Sequence, residues 1–123
     1  MLTVVAFPSQ MPGGLGAELD SHLEHCGLYT LLAIKDKTIS FVSTLSPAPH
    51  EHGACLAVVQ HLLDNNVQVL VAGSMGIRPL TGFQQAGIRI FNCGGCRTVR
   101  EAAEAFMDGR LQGFDATQTC GAC

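Results

Sequence analysis

Basic charge is scarce in this chain. Seven Lys and Arg stand against ten Asp and Glu among 123 residues, for a formal net charge of −3 at neutral pH. A nucleic-acid surface needs a basic stripe to displace the counterions of the phosphates, and the few cations here are scattered, which argues against that partner. Long apolar runs are also missing. The opening Met1-Leu2-Thr3-Val4-Val5-Ala6-Phe7 has no basic segment ahead of it and is too short for a secretory core or a membrane span. It reads as a first strand, and the expectation is a cytoplasmic protein with no membrane partner. With 47% apolar and 14% charged residues, a chain of this length can bury one core and not two. The expected organisation is one domain over residues 1–111 followed by a Cys-ending tail over residues 112–123.

Cysteine, by contrast, is plentiful, with six copies. In a reducing compartment thiols do not build a disulfide framework, so metal or redox chemistry is the better account of them. Cys26 and Cys55 stand alone, whereas Cys93-Gly94-Gly95-Cys96 and Cys120-Gly121-Ala122-Cys123 are Cys-x-x-Cys pairs. Their spacing, with 23 residues between the pairs, is slightly wider than common zinc spacings. It predicts one soft-metal site at Cys93, Cys96, Cys120 and Cys123. Glycine inside each pair lets backbone amides turn toward sulfur. The alternative is a polar chain end whose cysteines are incidental.

The run from Val67 to Ala72 is apolar except at Gln68 and holds three valines, the pattern of a parallel strand buried on both faces. Gly73-Ser74-Met75-Gly76 follows. Ligands of open α/β sheets sit outside such strand ends, so Gly73, Ser74 and Gly76 are either a binding edge or a plain connector. Ahead of it lie a strand at Leu2–Phe7, a Pro/Gly loop from Pro8, and the polar segment Glu18–Gly27. His22, His25 and Cys26 in that segment would share a helical face at ligand spacing or simply be solvated. Leu28–Ile34 and Thr38–Leu45 form a hairpin through Lys35-Asp36-Lys37, the second strand placing Ile39, Phe41 and Leu45 on one face at a sheet edge. The loop to Gly53 holds His50-Glu51-His52.

Cys55, Val58, Val59, Leu62 and Leu63 then follow a helical stripe, with His61 on the solvent side. Cys55 on that stripe reads as a small core residue rather than a reactive thiol. A helix over Ile77–Ala86 stops at Gly87, and Ile88–Phe91 is the last strand. Thr98-Val99-Arg100-Glu101 is a capping box for a helix whose stripe is Val99, Ala102, Ala103, Phe106 and Met107. Right-handed crossovers make a five-stranded mixed sheet of order 3-2-1-4-5 with helices on both faces. The loops around His25, Cys26, His50, His52, Cys93 and Cys96 then leave one edge and can converge.

Glu24-His25-Cys26-Gly27, the His52-Gly53 that opens the first helix, the Val69-Leu70-Val71-Ala72-Gly73-x-x-Gly76 turn, the Ala86-Gly87-Ile88-x-Ile90 step and Thr98-Val99-Arg100-Glu101-Ala102 carry a resemblance. In order and spacing they are similar to the dinitrogenase iron-molybdenum cofactor biosynthesis family, which includes NifX-like carriers, the C-terminal region of NifB-like proteins and the orange proteins. The resemblance spans about Met1–Leu111. It implies a ribonuclease-H-like α/β/α fold that carries an iron-sulfur or molybdenum-containing cluster without catalysing its synthesis. A cofactor-assembly or acceptor protein would then be the partner. His25 matches the family's Glu-His-Phe-Gly-Arg segment and is the implied ligand, with Cys26 and Leu28 replacing the aromatic and the Arg. The Cys93 and Cys120 pairs fall outside the usual pattern.

Three rivals follow. A ribonuclease-H-type nuclease needs carboxylates on its central strands to hold magnesium, and Leu2–Phe7 and Val67–Ala72 contain none, so an enzyme is not expected. A zinc-binding structural protein would use the two Cys-x-x-Cys pairs. A thiol redox protein would use Cys93 and Cys96 ahead of the Thr98 cap. Thiolate and imidazole ligands suit zinc, iron-sulfur and copper alike, so the residues alone do not name the metal.

Overall fold

The computed structural model describes residues 2–20, 27–46, 55–73 and 77–114. Its elements run β1 (Thr3–Ser9), β2 (Leu28–Lys35), β3 (Thr38–Leu45), α1 (Cys55–Asp64), β4 (Val69–Ala72), α2 (Ile77–Ala86), β5 (Arg89–Asn92) and α3 (Val99–Met107). They form a five-stranded sheet of order β3-β2-β1-β4-β5, with β1, β4 and β5 parallel and β2 antiparallel to both its neighbours. The mixed sheet and its order are those read from the sequence.

Two cores lie on the two faces. On one, Val58, Val59 and Leu62 of α1 and Leu80 and Phe83 of α2 pack on Ala6, Leu70 and Ala72. On the other, Val99, Ala102 and Ala103 of α3 pack on Val5, Phe7, Val69 and Val71. All four residues of β4 are buried, because a strand covered on both faces has no solvent side to give to polar residues. The result is a three-layer α/β/α domain. No helix among the described residues is long and apolar enough to cross a membrane.

Four local readings are corrected. Pro8 and Ser9 belong to β1 rather than to a loop, paired with Tyr29 and Leu28. Proline is tolerated there because its missing N–H would face away from β2, on the side where the β1–β4 pairing has ended at Ala6 and the Pro8 carbonyl accepts from Asp20 N–H at 2.9 Å. The register of β2 and β3 shifts between Ala33, opposite Phe41, and Ile34, opposite Ile39. Partners share a face, so this bulge puts Ile39 and Phe41 on opposite faces and leaves Phe41 65% exposed. Leu63 is 40% exposed despite its place in the α1 stripe. His61 is half-buried, with Nε2 2.7 Å from the Ser46 carbonyl oxygen, rather than free on a solvent face.

The chain also stays with the sheet beyond Leu111. Asn92 N–H donates to the Gln112 carbonyl at 2.8 Å and Phe114 N–H to the Ile90 carbonyl at 2.9 Å. Phe114 is buried in the α1/α2 core.

Candidate metal-binding edge

Parallel β1, β4 and β5, together with β3, all end on one edge of the sheet. That is the edge where the Cys93 turn sits. Cys93 N–H donates to the Ala72 carbonyl at 3.1 Å, so the first cysteine of the pair is tied directly to the end of the central strand, beside Gly73. The chain then reverses. Cys96 N–H donates back to the Cys93 carbonyl at 3.1 Å, and the two residues between, Gly94 and Gly95, have φ of 63° and 83°. Two successive left-handed residues make the primed turn that glycine supplies without steric cost. Asn92 completes it, its Oδ1 accepting from Gly94 N–H at 2.8 Å, as Asn does ahead of a turn.

The turn is braced from the α3 face. Leu19 N–H donates to the Arg97 carbonyl at 2.9 Å, and Glu18 bridges Thr98. The first N–H groups of α3 are all occupied: Val99 donates to the Ala17 carbonyl at 3.0 Å, Arg100 to the Leu15 carbonyl at 2.9 Å, and Glu101 to the Thr98 hydroxyl at 3.2 Å. Glu101 Oε2 reaches back to Arg97 N–H, at 3.4 Å. The capping signal at Thr98 and Glu101 is therefore realised, with Arg97 rather than Thr98 as the return donor. It leaves α3 with no free donor for a ligand.

Cys93 and Cys96 are both free thiols, half-buried against the α3-face core. They line a cleft of ≈ 390 Å³ together with Asn92, Gly94, Arg110 and Gln112. Burial pushes the Cys96 thiol above its ordinary value, with the negative charges of Cys93 and Glu101 adding to the shift and Arg110 opposing it. A metal that takes Cys96 as a ligand would have to displace the proton of this raised thiol. Arg110 was not singled out by the sequence. It follows the helix-ending Gly109, and only the fold shows that this brings it to the cysteines. Its guanidinium also pairs with Asp108 at 3.1 Å, a surface contact with both side chains more than half exposed.

Of the residues expected at a binding edge, the structure places Gly73, Cys93 and Cys96 together. His25, Cys26, His52, Gly53, Ser74, Gly76, Cys120 and Cys123 lie outside the described residues. Among the described residues no group of three or more His, Cys, Asp or Glu side chains is arranged to hold a metal.

The described residues define a class of small three-layer α/β/α domains, here with a pair of thiols at the carboxyl edge of the parallel strands. Within that class the chain belongs to the dinitrogenase iron-molybdenum cofactor family, which matches residues 1–109. The fold is shared with the apo form of the orange protein from Desulfovibrio gigas, at 21% identity and a TM-score of 0.80, over 93% of this chain and 94% of that one. A candidate NifB protein from Thermotoga superposes with a TM-score of 0.71 at 24% identity, over 90% of this chain and 92% of that one. A candidate dinitrogenase from Methanocaldococcus jannaschii gives 0.73 at 16% identity, over 94% and 97%. At these identities the likeness speaks for the fold alone. No curated protein sequence matches the chain.

Proposed function

We propose that this protein is a non-catalytic cytoplasmic carrier of an iron-sulfur or molybdenum-containing cluster, which it receives from or delivers to a cofactor-assembly or acceptor protein. The cluster is cargo. The observation that carries this reading is the family match over residues 1–109 in a chain whose Cys93–Cys96 turn is tied to the end of β4. Thiolates are the donors that iron-sulfur and other soft metal centres take, so the donors present fit the cargo.

His25, Cys26 and His52 are the proposed further ligands, with the backbone of Gly53, Gly73, Ser74 and Gly76 lining the edge. Chain length allows it: His52 is three residues from Cys55, the first residue of α1, which keeps it within about 10 Å of that helix start. Because α1 and α2 both run from this edge back across the sheet, their positive dipole ends face an anionic cluster. The Cys120 pair is proposed to share the Cys93 site. Gln112–Phe114 runs antiparallel to β5, away from the cysteine turn, so the tail must reverse to come back. The six steps from Phe114 to Cys120 span up to about 20 Å, against a return of roughly 10 Å along β5, and reach is sufficient.

The test is cluster uptake by His25→Ala and His52→Ala. Uptake should weaken while stability stays within about 1 kcal/mol of the parent; normal uptake with a large loss of stability would make the histidines structural instead.

A further inference from the structure

The Cys93–Cys96 turn presents a bite of two thiols. The ends of a β-turn lie within about 7 Å of one another at Cα, so the two sulfur atoms can take opposite sides of a single ion. Structural zinc needs four ligands and a thiolate-bound iron-sulfur cluster four cysteines. Among the described residues no third His, Cys, Asp or Glu joins this pair. Two thiolates do complete the shell of a soft, filled-shell monovalent cation, Cu(I).

Charge points the same way. As Cu⁺ binds, each thiol releases its proton to solvent and one S–Cu bond forms to each sulfur, with no change of oxidation state. The bis-thiolate unit is left with a single negative charge in a half-buried setting, where an unpaired charge is costly. Arg110 lines the same cleft and carries the opposite sign. The exposed Arg110–Asp108 pair is a weak surface contact and leaves the guanidinium able to turn toward the turn.

We propose that Cys93 and Cys96 by themselves bind one Cu(I) ion as a bis-thiolate, with Arg110 as its counter-charge. The copper site uses two of the thiols proposed for cluster carriage, but it needs neither the histidines nor the tail.

The experiment uses the full chain carrying Cys26→Ser, Cys55→Ala, Cys120→Ser and Cys123→Ser, titrated without oxygen against Cu(I) held by bicinchoninate. The chelator's colour reports copper withdrawn, and circular dichroism melts establish that each variant is folded. About one equivalent should be withdrawn; adding Cys93→Ser or Cys96→Ser should weaken binding about a hundredfold, and Arg110→Gln about tenfold. Copper left on the chelator by the folded protein, or withdrawal unchanged by Cys93→Ser, would overturn the site; an unchanged affinity in Arg110→Gln would overturn the counter-charge. Should the four-fold variant not fold, the otherwise unaltered chain is compared with its Cys93→Ser/Cys96→Ser form, which should take up about one equivalent less, and equal uptake would overturn the site. With no iron, molybdenum or sulfide present, this titration can fail while cluster uptake succeeds, and the reverse.

Discussion

Cys93 N–H donates to the carbonyl of Ala72 at 3.1 Å, one step beyond the last β4–β5 register pair, Ala72 with Asn92. The parallel ladder thus continues into the cysteine turn before the chain reverses. The first thiol is consequently positioned by the most buried strand of the sheet rather than by a free loop, which is the rigidity a metal-holding pair requires.

The turn depends on its glycines. Gly95 has φ of 83° and open space around a notional Cβ, so Gly95→Ala should cost only the left-handed backbone penalty, about 1 kcal/mol in a urea melt. Gly95→Asn should recover part of that loss, because Asn tolerates this conformation better than Ala.

Charge at Cys96 can be read by alkylation. In the metal-free protein the midpoint pH for Cys96 modification, followed by mass spectrometry, should fall in Cys93→Ser and rise in Arg110→Gln. The first substitution removes a repelling negative charge and the second an attracting positive one. An unchanged midpoint in both variants would mean that burial alone sets the thiol.

The folded unit includes Phe114. Phe114 is 5% exposed within the α1/α2 core, so Phe114→Ala should destabilise the metal-free protein by about 3 kcal/mol. Removing residues 115–123 should change it by less than about 1 kcal/mol. Equal losses from the two would show that the tail contributes to the fold in its own right.

The hairpin between β2 and β3 carries a conformation that its sequence does not favour. Asp36 and Lys37 have φ of 51° and 62°, the primed turn that usually takes glycine at its second position. Lys37→Gly should therefore raise stability by roughly 0.5–1 kcal/mol, after allowing for the greater freedom of glycine in the unfolded chain. A lower thermal midpoint in that variant would contradict the turn assignment.

Elements with a strong period were legible in the sequence. The apolar run ending at Ala72 and the stripe of Val99, Ala102 and Ala103 each have a burial pattern that residue type alone dictates, and together with the hairpin they led to the order 3-2-1-4-5. What escaped was pairing that side-chain periodicity does not encode. The continuation of β1 through Pro8 depends on where β4 ends, and the bulge that turns Phe41 away from Ile39 is a matter of register. Gln112–Phe114 looked structureless because three residues are too few to show a period. At the site, the Cys93 and Cys96 spacing and the strand-end glycine Gly73 were visible in advance. Asn92 ahead of Cys-Gly-Gly carried a turn signal that could have been used. Arg110 had none, since its place beside the cysteines comes from how α3 packs back on the sheet.

The visible absorption spectrum and metal content of the protein isolated without oxygen test cluster carriage most directly. The account predicts a coloured protein containing iron or molybdenum, with colour and metal reduced together in Cys93→Ser. A colourless protein holding about one zinc, with neither iron nor molybdenum, would contradict it and mark the cysteines as a structural zinc site.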